Sequence, residues 1–361
     1  MADKDPLADI RQRIDEIDIA VQQLVSERAE CARKVAEIKR EQGDTEHFYR
    51  PEREAQVLRK VQDRNQGPLS DEAVSGIFRE IMAVCLALEK PLKVAFLGPQ
   101  GTYTHAAAVK HFGNQIEAEP VASIEEVFRL VEAGGANFGV VPVENSSEGV
   151  INHTLDLFMK SSLTISGEVE LRIRHNLMTN QTDTAGIERV YAHQQTLAQC
   201  RLWLDTNLPN AERIAVRSNA EAVILSAEHD RSAAIAGTMA AELYDLPVMY
   251  ADIEDEPNNT TRFVVIGKYR APPSGADRTS LLVFAHNKPG SLFGLLEPLA
   301  KRSISMSNIE SRPSRRGVWE YVFFIDIDGH CDDANVADAI DEIEQASAMV
   351  TVLGSYPRAV L

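Results

Sequence analysis

Apolar residues at Leu7, Ile10, Ile14, Ile17, Val21, Leu24, Cys31, Val35 and Ile38 recur at the a and d spacing of a heptad. This predicts one long helix with a continuous apolar seam. Arg28 falls on the seam, where an unpaired charge costs several kcal/mol, so it needs a partner. Arg11 and Lys39 share a different heptad position yet lie roughly 42 Å apart along one helix. They can serve one site only if two copies pack with these helices antiparallel. After a loop at Gly43 and Asp44, Pro51 suits the first turn of a second helix, which carries Arg53 and Glu54. Ser70 caps a third, with Val74, Ile77, Ile81, Cys85 and Leu88 at helical spacing and Glu89 at its far end.

From Lys93 the period changes. Short apolar strands alternate with capped helices: Lys93–Leu97 before GPQGTYTHAAAVKHF, Ser123 before IEEVFRLVEAGG, then the stretch GVVPVENSSEGVINHTLDL from Gly139 to Leu157. This last reads as a buried strand ending at a polar turn that re-enters a helix. It suits either an ordinary capped turn or the ligand-binding carboxyl edge of an α/β sheet. Strands at Leu163–Val169, Val190–Ala192, Glu212–Val216 and Ala233–Ala236 continue the rhythm of a wound sheet, up to EDEPNNTTRFVVIGK. Ala271–Asp277 has the composition of a linker. The rest reads βαββαβ: TSLLVFAHN, SLFGLLEPLAKRS, SMSNIESRPS, WEYVFFIDIDG, DANVADAIDEIEQAS and MVTVLGSYP, a ferredoxin-like unit.

Composition narrows the function. The chain has 361 residues, 44% hydrophobic and 25% charged, enough for two or three cores. Its net charge of −17 argues against nucleic-acid binding and requires local cationic clusters for any anionic ligand. No apolar run suits a membrane span, and MADKDPLADI lacks the features of a signal peptide, which makes the cytoplasm the expected compartment. Cys31, Cys85, Cys200 and Cys331 are dispersed, the histidines have no ligand spacing, and phosphate-binding glycine loops are missing. Neither a metal nor a cofactor is expected.

The helical segment resembles the all-helical chorismate mutase domain of bacterial bifunctional chorismate mutase/prephenate dehydratases, an intertwined dimer. The resemblance places Arg11 of the partner chain, Arg28 and Arg53 on the carboxylates of chorismate, Lys39 and Glu89 on its ether oxygen, and Glu54 on its hydroxyl. Cys85 stands where that family usually has serine, and Glu89 where it has glutamine. Glu89 can donate only when protonated, so its pKa is expected to be raised in a buried site.

The middle segment is similar to prephenate dehydratase, a two-lobed α/β domain like a periplasmic binding protein. The similarity rests on GPQGTYT, VPVENSSEG, the segment from His193 to Cys200, SNAEA and TTRF together. His193-Gln194-Gln195 departs from the usual HPQ, and Ala192 from a common serine. The resemblance implies that Thr261 assists the departing hydroxyl, with Arg262 shaping its turn and Thr102, Glu144, Asn145, Ser146, Gln199 and Ser218 lining the site. The tail resembles the ACT regulatory domain. Its phenylalanine motifs are PGSLF, with Gly290, Ser291, Leu292 and Phe293, and ESRP, with Glu310, Ser311, Arg312 and Pro313.

The expected organisation is therefore a mutase domain over 1–91, a dehydratase domain over 92–270 and an ACT domain over 278–361. Together they make a bifunctional enzyme that converts chorismate to prephenate and then to phenylpyruvate, is inhibited by phenylalanine, and works as a homodimer or higher oligomer. The competing class is a noncatalytic small-ligand sensor, but Arg11, Arg28, Lys39 and Arg53 have no purpose in one.

Overall fold

The computed structural model describes residues 6–43, 49–286, 288–313 and 321–360. Asp44, Asn287, Ser314, Trp319 and Glu320, assigned above to a loop and to strand ends, lie outside that set.

Three helices open the chain: α1 (Pro6–Glu41), α2 (Pro51–Arg64) and α3 (Asp71–Ala87). Ser70 caps α3 by accepting from the Ala73 N–H at 3.2 Å. Ala55, Leu58 and Val61 of α2 are buried. The seam of α1 is not: Leu24 keeps 64% exposure, and Leu7, Ile10, Ile14, Ile17, Val21 and Ile38 are exposed with it. An apolar stripe of this length has no covering surface among the described residues.

Next come β1 (Lys93–Leu97), α4 (Tyr103–Phe112), β2 (Glu117–Val121), α5 (Ile124–Glu132), β3 (Phe138–Asn145), β4 (Gly149–Val150), α6 (Asn152–Phe158) and β5 (Thr164–Arg172). The chain then crosses to a second lobe, made of β6 (Asn176–Met178), β7 (Arg189–His193), α7 (Gln194–Gln199), α8 (Arg201–Asn207), β8 (Glu212–Val216), α9 (Asn219–Glu228), β9 (Ser232–Ala236), α10 (Thr238–Tyr244) and β10 (Val248–Tyr250). It returns as β11 (Thr260–Gly267), which completes the first sheet in the order β2-β1-β3-β11-β5, with β4 on β3. The second sheet runs β10-β6-β9-β7-β8. Two crossings joining two sheets leave a cleft between them. The polar turn after β3 differs in one respect from its sequence reading: a short hairpin, Glu144 opposite Val150 and Asn145 opposite Gly149, intervenes before α6.

The tail forms β12 (Asp277–Phe284), α11 (Ser291–Lys301), β13 (Met306–Pro313), β14 (Tyr321–Asp328), α12 (Ala334–Ala346) and β15 (Met349–Pro357), with sheet order β13-β14-β12-β15. This is the expected βαββαβ unit, but it is not loosely tethered. Leu282, Phe284, Val322, Phe324, Leu353 and Tyr356 share one core with Val141, Val143, Ile165 and Val264 of the first lobe. Gly354 marks the closest approach, where an added Cβ would lie 2.1 Å from the Ile165 carbonyl oxygen. The linker-like stretch is ordered too: buried Asp277 accepts from the Ser274 N–H at 2.8 Å. The helical head is also seated, with Arg50 donating to Tyr269 Oη at 2.7 Å, Arg59 to the Ala276 carbonyl at 2.8 Å and Arg79 to the Val360 carbonyl at 3.1 Å.

Candidate active sites

The cleft between the lobes encloses about 960 Å³. Thr102, Asn145, Gln199, Ser218 and Thr261, all expected there, line it. Thr102 caps α4 and donates its hydroxyl proton to the Leu97 carbonyl at 2.9 Å, while Ser218 caps α9. Both helices therefore aim their N-terminal N–H groups at the cleft, a favourable setting for carboxylates. Among the described lining residues, Arg217 is the one arginine or lysine. Burial lowers the pKa of His175, against the pull of Gln199 and Glu254, which favours a neutral imidazole.

Side-chain amides and hydroxyls run through this wall. Asn145 Nδ2 donates to Thr261 Oγ1 at 2.8 Å and to Asn259 Oδ1 at 2.7 Å. Asn259 Nδ2 donates to Gln199 Oε1 at 3.3 Å, and His175 Nε2 lies 2.8 Å from the same oxygen. Tyr103 Oη is 2.9 Å from His175 Nδ1 and 2.6 Å from the Arg174 carbonyl, so its single proton faces two acceptors.

Glu144, Ser146 and Arg262, expected on this wall, lie elsewhere. Neighbouring strand residues point to opposite faces, and β11 pairs with β3 so that Thr261 faces Asn145 while Arg262 faces Glu144. The first pair looks into the cleft and the second toward the C-terminal sheet. There Arg262 bonds Asp326 at 2.6 Å, Glu168 at 3.1 Å and Tyr356 Oη at 2.9 Å, with Glu144 at 3.9 Å. Ser146 is spent on the backbone, accepting from the Thr260 N–H at 2.9 Å.

The helical head distributes its candidates. Arg11 is exposed, Arg28 and Lys39 are partly buried farther along α1, Arg53 is exposed on α2, and Cys85 is buried on α3. Lys39 lies close enough to Glu89 to act on its charge. Burial raises the pKa of Glu89 while Lys39 and Arg40 pull it down, and Glu89 Oε2 is buried without a hydrogen-bond partner among the described residues. Glu54 departs from expectation. Successive helix positions project about 100° apart, and Glu54 turns from Arg53 into a cavity of about 230 Å³ at the junction with the first lobe. Burial raises its pKa to about 7, opposed by Arg79 at 3.8 Å and a hydrogen bond with Tyr49.

Three family models match the chain. The model described as chorismate mutase type II matches residues 10–90, that for prephenate dehydratase 94–271 and that for the ACT domain 279–345. The bifunctional chorismate mutase/prephenate dehydratase of Pseudomonas aeruginosa is 53% identical, covering 100% of both chains. The chain belongs to the bifunctional chorismate mutase/prephenate dehydratase family. Its relative of the same description in Neisseria gonorrhoeae is 51% identical over 97% of each chain. Among solved structures, a prephenate dehydratase from Arthrobacter aurescens in complex with L-Phe is 35% identical, with a TM-score of 0.69, covering 75% of this chain and 93% of that one.

In this family member, the two tail motifs sit on different elements. Gly290, at φ 82°, precedes α11, and Ser291 donates to the His286 carbonyl at 2.5 Å. Leu292 and Phe293 are exposed. Glu310, Ser311, Arg312 and Pro313 lie on β13, and Arg312 pairs with Asp156 of α6 at 2.8 Å. The guanidinium is thus directed at the first lobe. His330, Cys331 and Asp332 lie within metal-ligand reach of one another. Both ring nitrogens of His330 are engaged, Nε2 with the Ala271 carbonyl at 2.9 Å and Nδ1 with the Asp332 N–H at 3.0 Å, so they offer a metal no free ligand.

Sequence reading missed Glu148, His175, Gln195 and Asn259. Glu148 lay within VPVENSSEG and Asn259 beside TTRF, so both motifs contained the signal. His175, between β5 and β6, had no motif; only the crossing of the chain places it against Gln199.

Proposed function

We propose that this chain rearranges chorismate to prephenate in its helical head and converts prephenate to phenylpyruvate in the cleft, under feedback control by phenylalanine through its ACT domain. The observation that carries the reading is full-length identity to bifunctional relatives, with Thr261 set beside Asn145 in a polar cleft.

The first reaction is pericyclic, so the head must hold a compact conformer of a dicarboxylate and stabilise charge growing on the ether oxygen. Lys39 and a protonated Glu89 supply donors for that oxygen, and Arg28 and Arg53 pair with carboxylates. Arg11 comes from a second copy, whose α1 also covers the exposed seam; the working unit is at least a homodimer. Two such apolar stripes meeting antiparallel bury each other and bring Arg11 toward the far end of the partner helix.

In the cleft, the ring carboxylate leaves as carbon dioxide and its bonding electrons enter the ring. The C–O bond breaks, and the departing hydroxide takes a proton that comes ultimately from solvent, leaving as water. Thr261 hydrogen-bonds that leaving oxygen as charge develops. A threonine hydroxyl is too weak an acid to act alone, and the amide network holds it in place. The N-termini of α4 and α9, with Arg217, offset the charge of the dianion. No cofactor or nucleic acid enters these steps. No described helix is long and apolar enough to cross a membrane, and all four cysteines are free thiols, which supports a cytoplasmic setting.

The test supplies chorismate to the full chain and follows prephenate and phenylpyruvate with and without phenylalanine. Both products should form, and phenylalanine should slow the second. Binding of all three ligands without turnover would favour the sensor.

A further inference from the structure

The hydrogen bonds behind Thr261 all run one way, and we propose that the Glu148 carboxylate at one end and the backbone around Asn145 at the other hold that direction, leaving Thr261 a donor toward the cleft. The proposal rests on Thr261 acting at the leaving hydroxyl and adds a positioning residue to that reaction.

A carboxylate only accepts. Glu148, in the turn between β3 and β4 of the first lobe, receives Gln199 Nε2 at 3.0 Å on one oxygen and Gln195 Nε2 on the other, both from α7 of the second lobe. With its NH2 committed to Glu148, Gln199 must turn Oε1 the other way. That oxygen accepts from Asn259 Nδ2 at 3.3 Å and faces His175 Nε2 at 2.8 Å, which therefore carries the imidazole proton. Asn259, having spent its NH2, turns Oδ1 toward Asn145 Nδ2 at 2.7 Å.

Asn145 is fixed from the opposite side as well. Its Oδ1 accepts the backbone N–H groups of Ser147 at 3.0 Å and Glu148 at 3.1 Å, so its NH2 has to face Asn259 and Thr261. Thr261 Oγ1 accepts from that NH2 at 2.8 Å, and no described side chain or carbonyl takes its proton. The hydroxyl proton is left for whatever occupies the cleft. Because Glu148 and the two glutamines belong to different lobes, the contact joins the two lobes at the edge of the cleft.

Exchange of group types tests this in the full-length chain. In Glu148→Gln one accepting oxygen becomes an NH2; Gln195, whose side chain makes no other hydrogen bond among the described residues, can flip to accept from it, so this single variant does not by itself reverse the direction. Gln199→Glu sets two carboxylates face to face, and we expect the dehydratase kcat to fall by about 10-fold or more with KM changed by less than about 3-fold. In the double variant Glu148→Gln/Gln199→Glu, the new carboxylate accepts from His175, Asn259 and the new amide, which still accepts from Gln195. The direction is restored, so it should turn over faster than Gln199→Glu alone. Mutase turnover of each preparation reports folding and should not change. A parental kcat in Gln199→Glu, or a double variant no faster than it, would overturn the proposal. Failure of the Thr261 reading is separate: Thr261→Ala would then keep its dehydratase rate, whatever the exchange shows.

Discussion

Thr261 and Arg262 are consecutive on β11, yet Thr261 bonds Asn145 of the neighbouring strand on the cleft wall while Arg262 bonds Asp326 of the C-terminal sheet at 2.6 Å. One strand thus joins the proposed chemical step to the regulatory domain. The Arg262 cluster is nearly closed to water: Glu168 also bonds Arg278 at 2.5 Å, and Asp326 accepts from Ser280 at 2.5 Å. Two guanidiniums, Arg262 and Arg278, meet two buried carboxylates, Glu168 and Asp326, with the more exposed Glu144 as a third at 3.9 Å.

Removing one member leaves an uncompensated buried charge. Asp326→Ala should cost about 3–5 kcal/mol of stability, measured by urea denaturation of the full chain. A loss below about 1 kcal/mol, the scale of a surface pair, would show that solvent enters the cluster.

Thr261→Ala should lower dehydratase kcat by about 100-fold or more, the scale of a general-acid contribution, with mutase turnover intact. Thr261→Ser, which keeps the hydroxyl, should retain more. Parallel loss of both activities in Thr261→Ala would point to unfolding instead.

Burial raises the pKa of Glu89, so its protonated, donating form persists to higher pH than for an ordinary carboxyl. Mutase turnover should therefore fall as pH rises through that raised value. Glu89→Gln donates at every pH and should flatten the profile; a variant as steep as the parent would remove Glu89 from the reaction.

Glu54 binds its proton more tightly folded than unfolded, at about 7 against an ordinary 4.5. The stability it contributes is complete below pH 4.5 and is lost as pH rises through about 7. His111, lowered by burial and Arg79 from 6.5 to about 3, acts oppositely: its contribution is present above pH 6.5 and lost as pH falls toward 3. Glu54→Gln should remove the first loss, stabilising the chain above pH 7 by on the order of 1–3 kcal/mol and leaving the acid limb. Melting curves across pH 4 to 9 check it.

Phenylalanine should bind the full chain and slow the dehydratase. Glu310→Ala should weaken that binding in calorimetry with basal turnover retained, because control requires unequal affinity for two states. Unchanged affinity would remove β13 from the ligand site.

The sequence by itself determined the order of the three units, because each hydrophobic period is local: heptads in α1, alternating strands and helices from β1 to β11, βαββαβ in the tail. It also marked Thr261, Asn145, Gln199, Thr102 and Ser218 through their motifs. It did not decide which way neighbouring side chains in one motif point. Glu144 and Asn145, or Thr261 and Arg262, are adjacent in the chain, and only the β3–β11 register sends one of each pair to the cleft and the other to the C-terminal sheet. Nor could it place Glu148 against Gln195 and Gln199, or His175 against Tyr103, since those contacts cross between lobes. Local periodicity follows from covalent geometry and side-chain burial within one element. Facing and hydrogen-bond direction depend on partners far away in the chain, which only the tertiary structure brings together.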